Sequence, residues 1–261
     1  MYYPNSSKKN QELEIHSHKS WPFTKFLISK VITIFVVLLI CSTKGIGQDF
    51  EQQYNLFLEK YLDDGLVNYA SINENPNELE NLVKKIREIN FRNLDINNQK
   101  AFLINAYNIL MIHSVVQKYP VKSPLFIAGI FRKKVYEIDT ISYSLNQIEK
   151  FLTNTLKETR AHFVLVCGAK GCPKLSPIAF TGDNIEQQLE GRSRVILNSD
   201  FIHFDHKKKK VKLSMIFLWY KKEFGNSKEE LVTYINKFRE HKIPHHYKVG
   251  YYNYDWSLNE Q

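Results

Sequence analysis

Segment 162–172 concentrates the residue types that could do chemistry. His162 precedes a short apolar run that ends at Cys167, and a glycine-containing turn leads from there to Cys172. A cysteine is a nucleophile when a neighbouring base and a lowered pKa make it a thiolate. His162 could be that base, Lys170 could favour the thiolate, and N–H groups of the turn could bind a substrate oxyanion.

Other interpretations of the same residues are open. Cys167 and Cys172 are close enough in sequence to form a disulfide, which an oxidising compartment favours. With His162 they could also bind a metal, but four residues between the cysteines is not the usual zinc spacing. Cysteine is also among the most often buried residue types, so both could be packing residues. With no phosphate loop, GxGxxG or HExxH motif, the sequence predicts no cofactor and no metal.

The apolar run 163–166 predicts a buried strand over 162–168. On an extended strand His162 would lie about 17 Å from Cys167. Cys172 could then reach His162 only if the loop after the strand doubled back.

The 261 residues are 43% hydrophobic, which suffices for one well-buried core and makes a second core unexpected. The net charge of +9 comes partly from the first 47 residues, which hold six lysines and two acidic residues. The remaining charge is ordinary, and no nucleic-acid partner is predicted. The densest basic run, Lys207–Lys210, is interpreted as a solvated hairpin tip.

The amino-terminal region has the pattern of an export signal. Several lysines precede an apolar run of 11 residues, Val31–Cys41, which is too short for a membrane span but typical of a signal peptide. Gly45 and Gly47 place small residues before a cut at Gln48. Residues 1–47 are therefore predicted to be a signal peptide, and the protein to be periplasmic, extracellular or on the outer surface. An uncleaved anchor, or a lipid on the last residue of the apolar run, is the only membrane attachment expected.

Residues 48–261 are predicted to form one domain, in which segment 99–120 is apolar nearly all round and predicts a buried helix. Asn105 and Asn108 share a face of that helix, and an unpaired buried amide costs about 1–3 kcal/mol. Both are therefore expected to be buried and hydrogen-bonded near residues 162–175.

Short extended segments alternate irregularly with helices along the rest of the domain. Residues 133–144 and 201–214 each predict a hairpin, and Ser144 begins a capping box that opens a helix. The absence of regular strand–helix alternation predicts an α+β fold, a helix-rich single domain around a small, mostly antiparallel sheet.

Five ordered motifs resemble the family called domain of unknown function 547 (DUF547). They are "AFLINAYNILMIHSVV" (101–116), "YSLNQIEKFL" (143–152), "HFVLVCGAKGCPKL" (162–175), "LSMIFLWYKKEFG" (213–225) and "YDWSLNEQ" (254–261). The family has no agreed activity, and its bacterial members are often exported. Leu103, Lys150 and Glu223 depart from its usual residues. The retained polar pattern comprises Asn105, Asn108, Glu149, His162, Cys167 and Cys172.

The resemblance leaves two functional hypotheses. The favoured one is an exported binding domain for an unknown peptide, protein or small molecule, with Asn108, Cys167 and Lys170 shaping the site. The alternative is a thiol hydrolase or acyl transferase, supported by a looser similarity to papain-like and transglutaminase-like enzymes. Its nucleophile would be Cys172 and its base His162, oriented by Glu149 or Asn105.

Overall fold

The computed structural model describes residues 48–261, which all lie in one compact unit. The predicted signal peptide and its lipidation candidate Cys41 lie outside the described residues. Among the helices that are described, none is both long and apolar enough to cross a membrane.

The helices of the described part are α1 (residues 48–61), α2 (Tyr69–Glu74), α3 (Asn77–Glu88), α4 (Ile96–Val116), α5 (Leu145–Lys150), α6 (Ile185–Leu197), α7 (Ile216–Trp219), α8 (Lys221–Phe224) and α9 (Lys228–Phe238). The strands are β1 (Leu62–Asp63), β2 (Leu66–Val67), β3 (Val135–Ile138), β4 (Ile141–Ser144), β5 (Ile202–Asp205), β6 (Lys210–Leu213) and β7 (Lys248–Tyr251). A π-helical turn follows α5, at Phe151–Thr155, and a 3-10 turn spans Thr159–Phe163.

Helix α4 is the central element of the fold, as its all-round apolar sequence predicted. The Asp95 side chain begins it by accepting hydrogen bonds from the N–H groups of Asn97 and Asn98, each at 3.0 Å. From Ala101 to Val116 every residue is buried. The helix packs against α2, α3, α5 and α6, so its polar side chains must find partners inside the protein.

The fold is α+β, as predicted, but its strands form three small sheets rather than one. Strands β1 and β2 pair antiparallel, as do β3 and β4, and β5 and β6. Strand β7 adds to β6 in parallel. Lys207–Lys210 is exposed where β5 turns into β6, which confirms the hairpin.

The apolar interior forms two clusters where the sequence predicted one. The larger surrounds α4 and includes Val164. The smaller lies between α7–α9 and the β5–β6–β7 sheet, and includes Phe163. The boundary between the two clusters therefore falls between the adjacent residues Phe163 and Val164, next to His162.

The predicted strand over 162–168 is wrong. His162 lies in the 3-10 turn, which Glu158 stabilises by accepting hydrogen bonds from the backbone N–H and the guanidinium of Arg160. In the buried run that follows, the Asn108 side chain makes hydrogen bonds with the backbone of Val164 and Val166 that a neighbouring strand would otherwise make. The expected 17 Å separation, which assumed an extended strand, no longer applies.

Candidate functional site

A cavity of about 480 Å³ brings together four of the residues singled out in the sequence. Glu149, His162, Cys167 and Cys172 all line it. Glu149 comes from α5, His162 from the 3-10 turn, and the cysteines from either end of the following loop. Their convergence depends on the turn at Thr159–Phe163, which the sequence did not reveal.

The other walls of the cavity are largely aromatic. Trp219, Tyr254 and Trp256 pack on one another, with ring centroids 4.9 Å, 5.7 Å and 4.8 Å apart for the pairs 219–254, 219–256 and 254–256. Tyr107, Phe131 and Tyr220 also line the cavity. We call the three mutually packed rings the aromatic wall. It offers ring faces and edges to whatever enters.

His162 is held between two carboxylates. Its Nε2 lies 2.9 Å from an oxygen of Glu223, and its Nδ1 lies 3.9 Å from an oxygen of Glu149. The Tyr220 ring packs on the imidazole, with centroids 3.9 Å apart. Both ring nitrogens of His162 therefore face a carboxylate oxygen, which fixes the orientation of the imidazole in the cavity wall.

The environment of Glu149 raises its pKa above the ordinary value. Burial of the carboxylate is the main cause, and the Tyr220 hydroxyl and the charge of His162 oppose it. A carboxyl group with a shifted pKa that faces a cavity is a common feature of functional sites.

Glu149→Gln should therefore stabilise the protein at neutral pH. The folded-state pKa of Glu149 lies above the unfolded value, so the protonated carboxyl favours folding below the unfolded pKa, and this stability is lost as the pH rises through the folded pKa. Glutamine cannot ionise and avoids that loss. In urea unfolding, the variant should have a higher free energy of unfolding than the wild type at pH 8, and this difference should be smaller at pH 4. Glu137→Gln, at an exposed position of β3, is the control, and an advantage that does not change with pH would contradict the argument.

Cys167 and Cys172 are joined by a disulfide, with their Cα atoms 6.2 Å apart. The Cys172 sulfur accepts hydrogen bonds from the Cys167 N–H at 2.8 Å and from the Tyr254 hydroxyl at 3.0 Å. In this state Cys172 has no free thiol and cannot attack a substrate carbonyl.

The turn between the cysteines does not present the predicted oxyanion donors. The N–H of Lys170 donates to Ser257, and that of Gly171 to Asp255, each at 2.8 Å. The Cys172 N–H donates to Ala169. A Cβ atom on Gly171 would lie 2.9 Å from the backbone nitrogen of Asp255. The glycine thus allows segment 254–261 to approach closely, and these N–H groups are already occupied.

Asn108 is placed as predicted. It is buried, its amide nitrogen donates to the Val164 carbonyl at 3.0 Å, and its oxygen accepts the Val166 N–H at 2.9 Å.

Two other predicted site residues lie apart from the cavity. Asn105 is buried, but its amide bonds the backbone of Phe180, outside the expected 162–175 region. It therefore does not orient His162. Lys170 is exposed and is not part of the cavity lining. Neighbouring Lys174 instead pairs with Asp64 at 2.5 Å.

Sequence reasoning missed the Glu223 partner of His162 and the aromatic wall. Glu223 was noted only as a departure from a family motif. The rings at 219, 254 and 256 lie in "LWYKKEF" and "YDWS", segments that were recognised but given no role. The clustering of tryptophan and tyrosine in two short polar segments was the signal that could have identified them.

The fold and the cavity define an α+β domain with a His–Glu pair, a disulfide and an aromatic wall around one cavity. Residues 91–195 match the family model described as "Protein of unknown function, DUF547", the family that the motifs of the chain resemble. The matched segment contains Glu149, His162 and both cysteines, but neither Glu223 nor the aromatic wall. Comparison with curated proteins gave no match, and neither did comparison with solved structures.

Proposed function

We propose that the cavity is a binding site for a small organic molecule or a peptide segment. The observation that carries this proposal is the aromatic wall beside a few polar groups in about 480 Å³. Ligand pockets typically measure about 300–1,000 Å³ and combine apolar and aromatic walls with a small number of polar groups. The backbone hydrogen bonds of loop 167–172 keep one side of the cavity in shape before a ligand arrives.

The polar groups of the lining indicate what a ligand would present. Arg132 and Glu149 both line the cavity and carry opposite charges when ionised. The rings of Trp219 and Trp256 offer stacking surfaces, and tryptophan is also the best aromatic partner for a cation. A ligand with a flat or cationic group and a polar end suits this arrangement.

Tryptophan fluorescence tests the proposal directly. The chain has three tryptophans, Trp21, Trp219 and Trp256, and the last two line the cavity. In a Trp21→Phe background, a ligand found in a panel of peptides and aromatic or cationic small molecules should change the emission. Trp219→Leu and Trp256→Leu should each weaken binding by about tenfold, because each removes one stacking surface. Ligands that leave the emission unchanged and bind both variants normally would contradict the assignment of the cavity.

Thiol hydrolysis or acyl transfer is the alternative function. One observation favours it, namely that Cys172, His162 and Glu149 line the same cavity. It requires that the disulfide be opened first, which would free Cys172 as nucleophile with His162 as base. After reduction, iodoacetamide should then modify Cys172 near pH 7 faster than it modifies free cysteine.

We also propose that the domain acts after export. The support is the lysine-rich leader, the short apolar run and the glycines before Gln48, together with a disulfide, which oxidising compartments favour. Amino-terminal sequencing of the protein secreted by its own host should begin at or near Gln48. An intact Met1 on protein recovered from the cytosolic fraction would overturn this proposal.

A further inference from the structure

We propose that the Cys167–Cys172 disulfide is a redox centre that exchanges with thiol-bearing molecules entering the cavity. This activity goes beyond ligand binding, because the protein would oxidise its ligand. Both cysteines line the cavity and both are partly exposed, so an incoming thiol can reach the bond.

The loop that carries the disulfide does not depend on it for its shape. Segment 254–261 accepts the N–H groups of Lys170 and Gly171 at 2.8 Å, and the Asn259 N–H donates to Gly168 at 3.1 Å. On the other side, Asn108 fixes the backbone immediately before Cys167. A disulfide is needed to hold a loop in shape where the loop lacks other bonds. Here the disulfide can open while the loop remains in place.

The two sulfurs are not equivalent as leaving groups. The Cys172 sulfur faces the Cys167 N–H at 2.8 Å and the Tyr254 hydroxyl at 3.0 Å. Cys167 faces only the same hydroxyl, at 3.1 Å, among the hydrogen-bond partners in the described residues. Donors that point at a sulfur stabilise its thiolate, and the more stable thiolate leaves faster in an exchange reaction. The geometry therefore makes Cys172 the leaving thiolate and Cys167 the sulfur that is attacked.

The reaction balances with two equivalents of thiol. The first thiolate attacks the Cys167 sulfur, a mixed disulfide forms, the Cys167–Cys172 bond breaks, and its electron pair stays on Cys172. The second thiolate attacks the ligand sulfur of the mixed disulfide and releases Cys167. The two protons lost by the ligand thiols pass to the Cys167 and Cys172 thiolates, so the ligand is oxidised to a disulfide and the protein is reduced to its dithiol.

The test uses the full chain with Cys41→Ser, so that only Cys167 and Cys172 remain as cysteines. Protein equilibrated with reduced and oxidised glutathione is quenched with acid, alkylated and analysed by mass spectrometry. The dithiol and disulfide forms should interconvert reversibly with the glutathione ratio. With Cys172→Ser, glutathione should accumulate on Cys167. A disulfide that opens only in denaturant would overturn the proposal.

Tyrosine variants test whether the hydroxyl that faces both sulfurs stabilises a thiolate. Tyr254→Phe removes a donor from the Cys172 thiolate, so it should shift the equilibrium toward the disulfide by about tenfold. Tyr252→Phe, whose hydroxyl donates to Phe201 at 3.3 Å, should leave the equilibrium unchanged. Equal behaviour of the two variants would show that the Tyr254 hydroxyl stabilises no thiolate and would overturn that part of the proposal.

A further measurement needs no cavity variant. Thiolate absorbance of the reduced protein at 240 nm should titrate with a Cys172 pKa below the unperturbed value of about 8.5. A pKa at or above that value would overturn the proposal. Because these readouts follow sulfur and not tryptophan emission, redox exchange can fail while ligand binding succeeds.

Discussion

Asn108→Leu should lower the free energy of unfolding by about 3 kcal/mol. The substitution leaves the Val164 carbonyl and the Val166 N–H buried without a partner, and each such group costs about 1–3 kcal/mol. Leucine is close in size to asparagine, so the loss comes mainly from hydrogen bonding. Urea unfolding followed by circular dichroism measures the difference.

Two variants of the same helix serve as comparisons. Asn97→Leu lies in the exposed first turn of α4 and should change stability by no more than about 0.5 kcal/mol. Asn105→Leu breaks two equivalent bonds to Phe180 and should cost about as much as Asn108→Leu. Only Asn108→Leu, however, should loosen the loop at residues 167–172, which we call the cysteine loop. The loosening should appear as faster hydrogen exchange at Val166. Similar unfolding energies for Asn97→Leu and Asn108→Leu would contradict the bracing role.

Deletion of residues 254–261 should lower the free energy of unfolding by more than about 5 kcal/mol, which is comparable to the whole stability of many domains. The deletion removes Leu258 from the larger apolar cluster, which alone accounts for about 2–5 kcal/mol. It also removes Asn259, whose side chain accepts the Tyr69 hydroxyl at 2.8 Å. Thermal and urea unfolding should show a weak or absent cooperative transition.

The same deletion should abolish ligand binding in the cavity, because Tyr254 and Trp256 form two thirds of the aromatic wall. Asn253→Ala, at the exposed position just before the deleted segment, is the control and should fold and bind normally. A truncated chain that unfolds cooperatively at the wild-type midpoint would show that the segment is only an attached tail.

The sequence predicted those features that depend on local pattern. An apolar run on all sides of a helix identified α4, and an amide within it identified Asn108 as a brace. The serine and glutamine of the capping box began α5 as predicted, with the Gln147 N–H donating to the Ser144 hydroxyl. Each of these depends on residues within a few positions of one another.

The cavity could not be predicted from local sequence patterns, because it is formed by contacts between residues that are far apart in the sequence. The run 163–166 has the composition of a strand, but Asn108 on α4 satisfies its backbone in place of a strand partner. The Glu223 partner of His162 is 61 residues away, and the Tyr254 partner of Cys172 is 82 residues away. Such pairs follow from the packing of two apolar clusters, which no window of a single sequence contains.

Segment 254–261 pairs with both Val67 and the cysteine loop. These contacts can form only after the segment has been synthesised. The hydrogen bond from the Tyr69 hydroxyl to Asn259 can form only after another 190 residues have been added to the chain. At the usual pace of synthesis this is a delay of roughly 10–40 s. In the later part of that interval both cysteines have been made, but the segment that fixes their loop has not. The loop can therefore take the shape described here only once residues 254–261 have been synthesised.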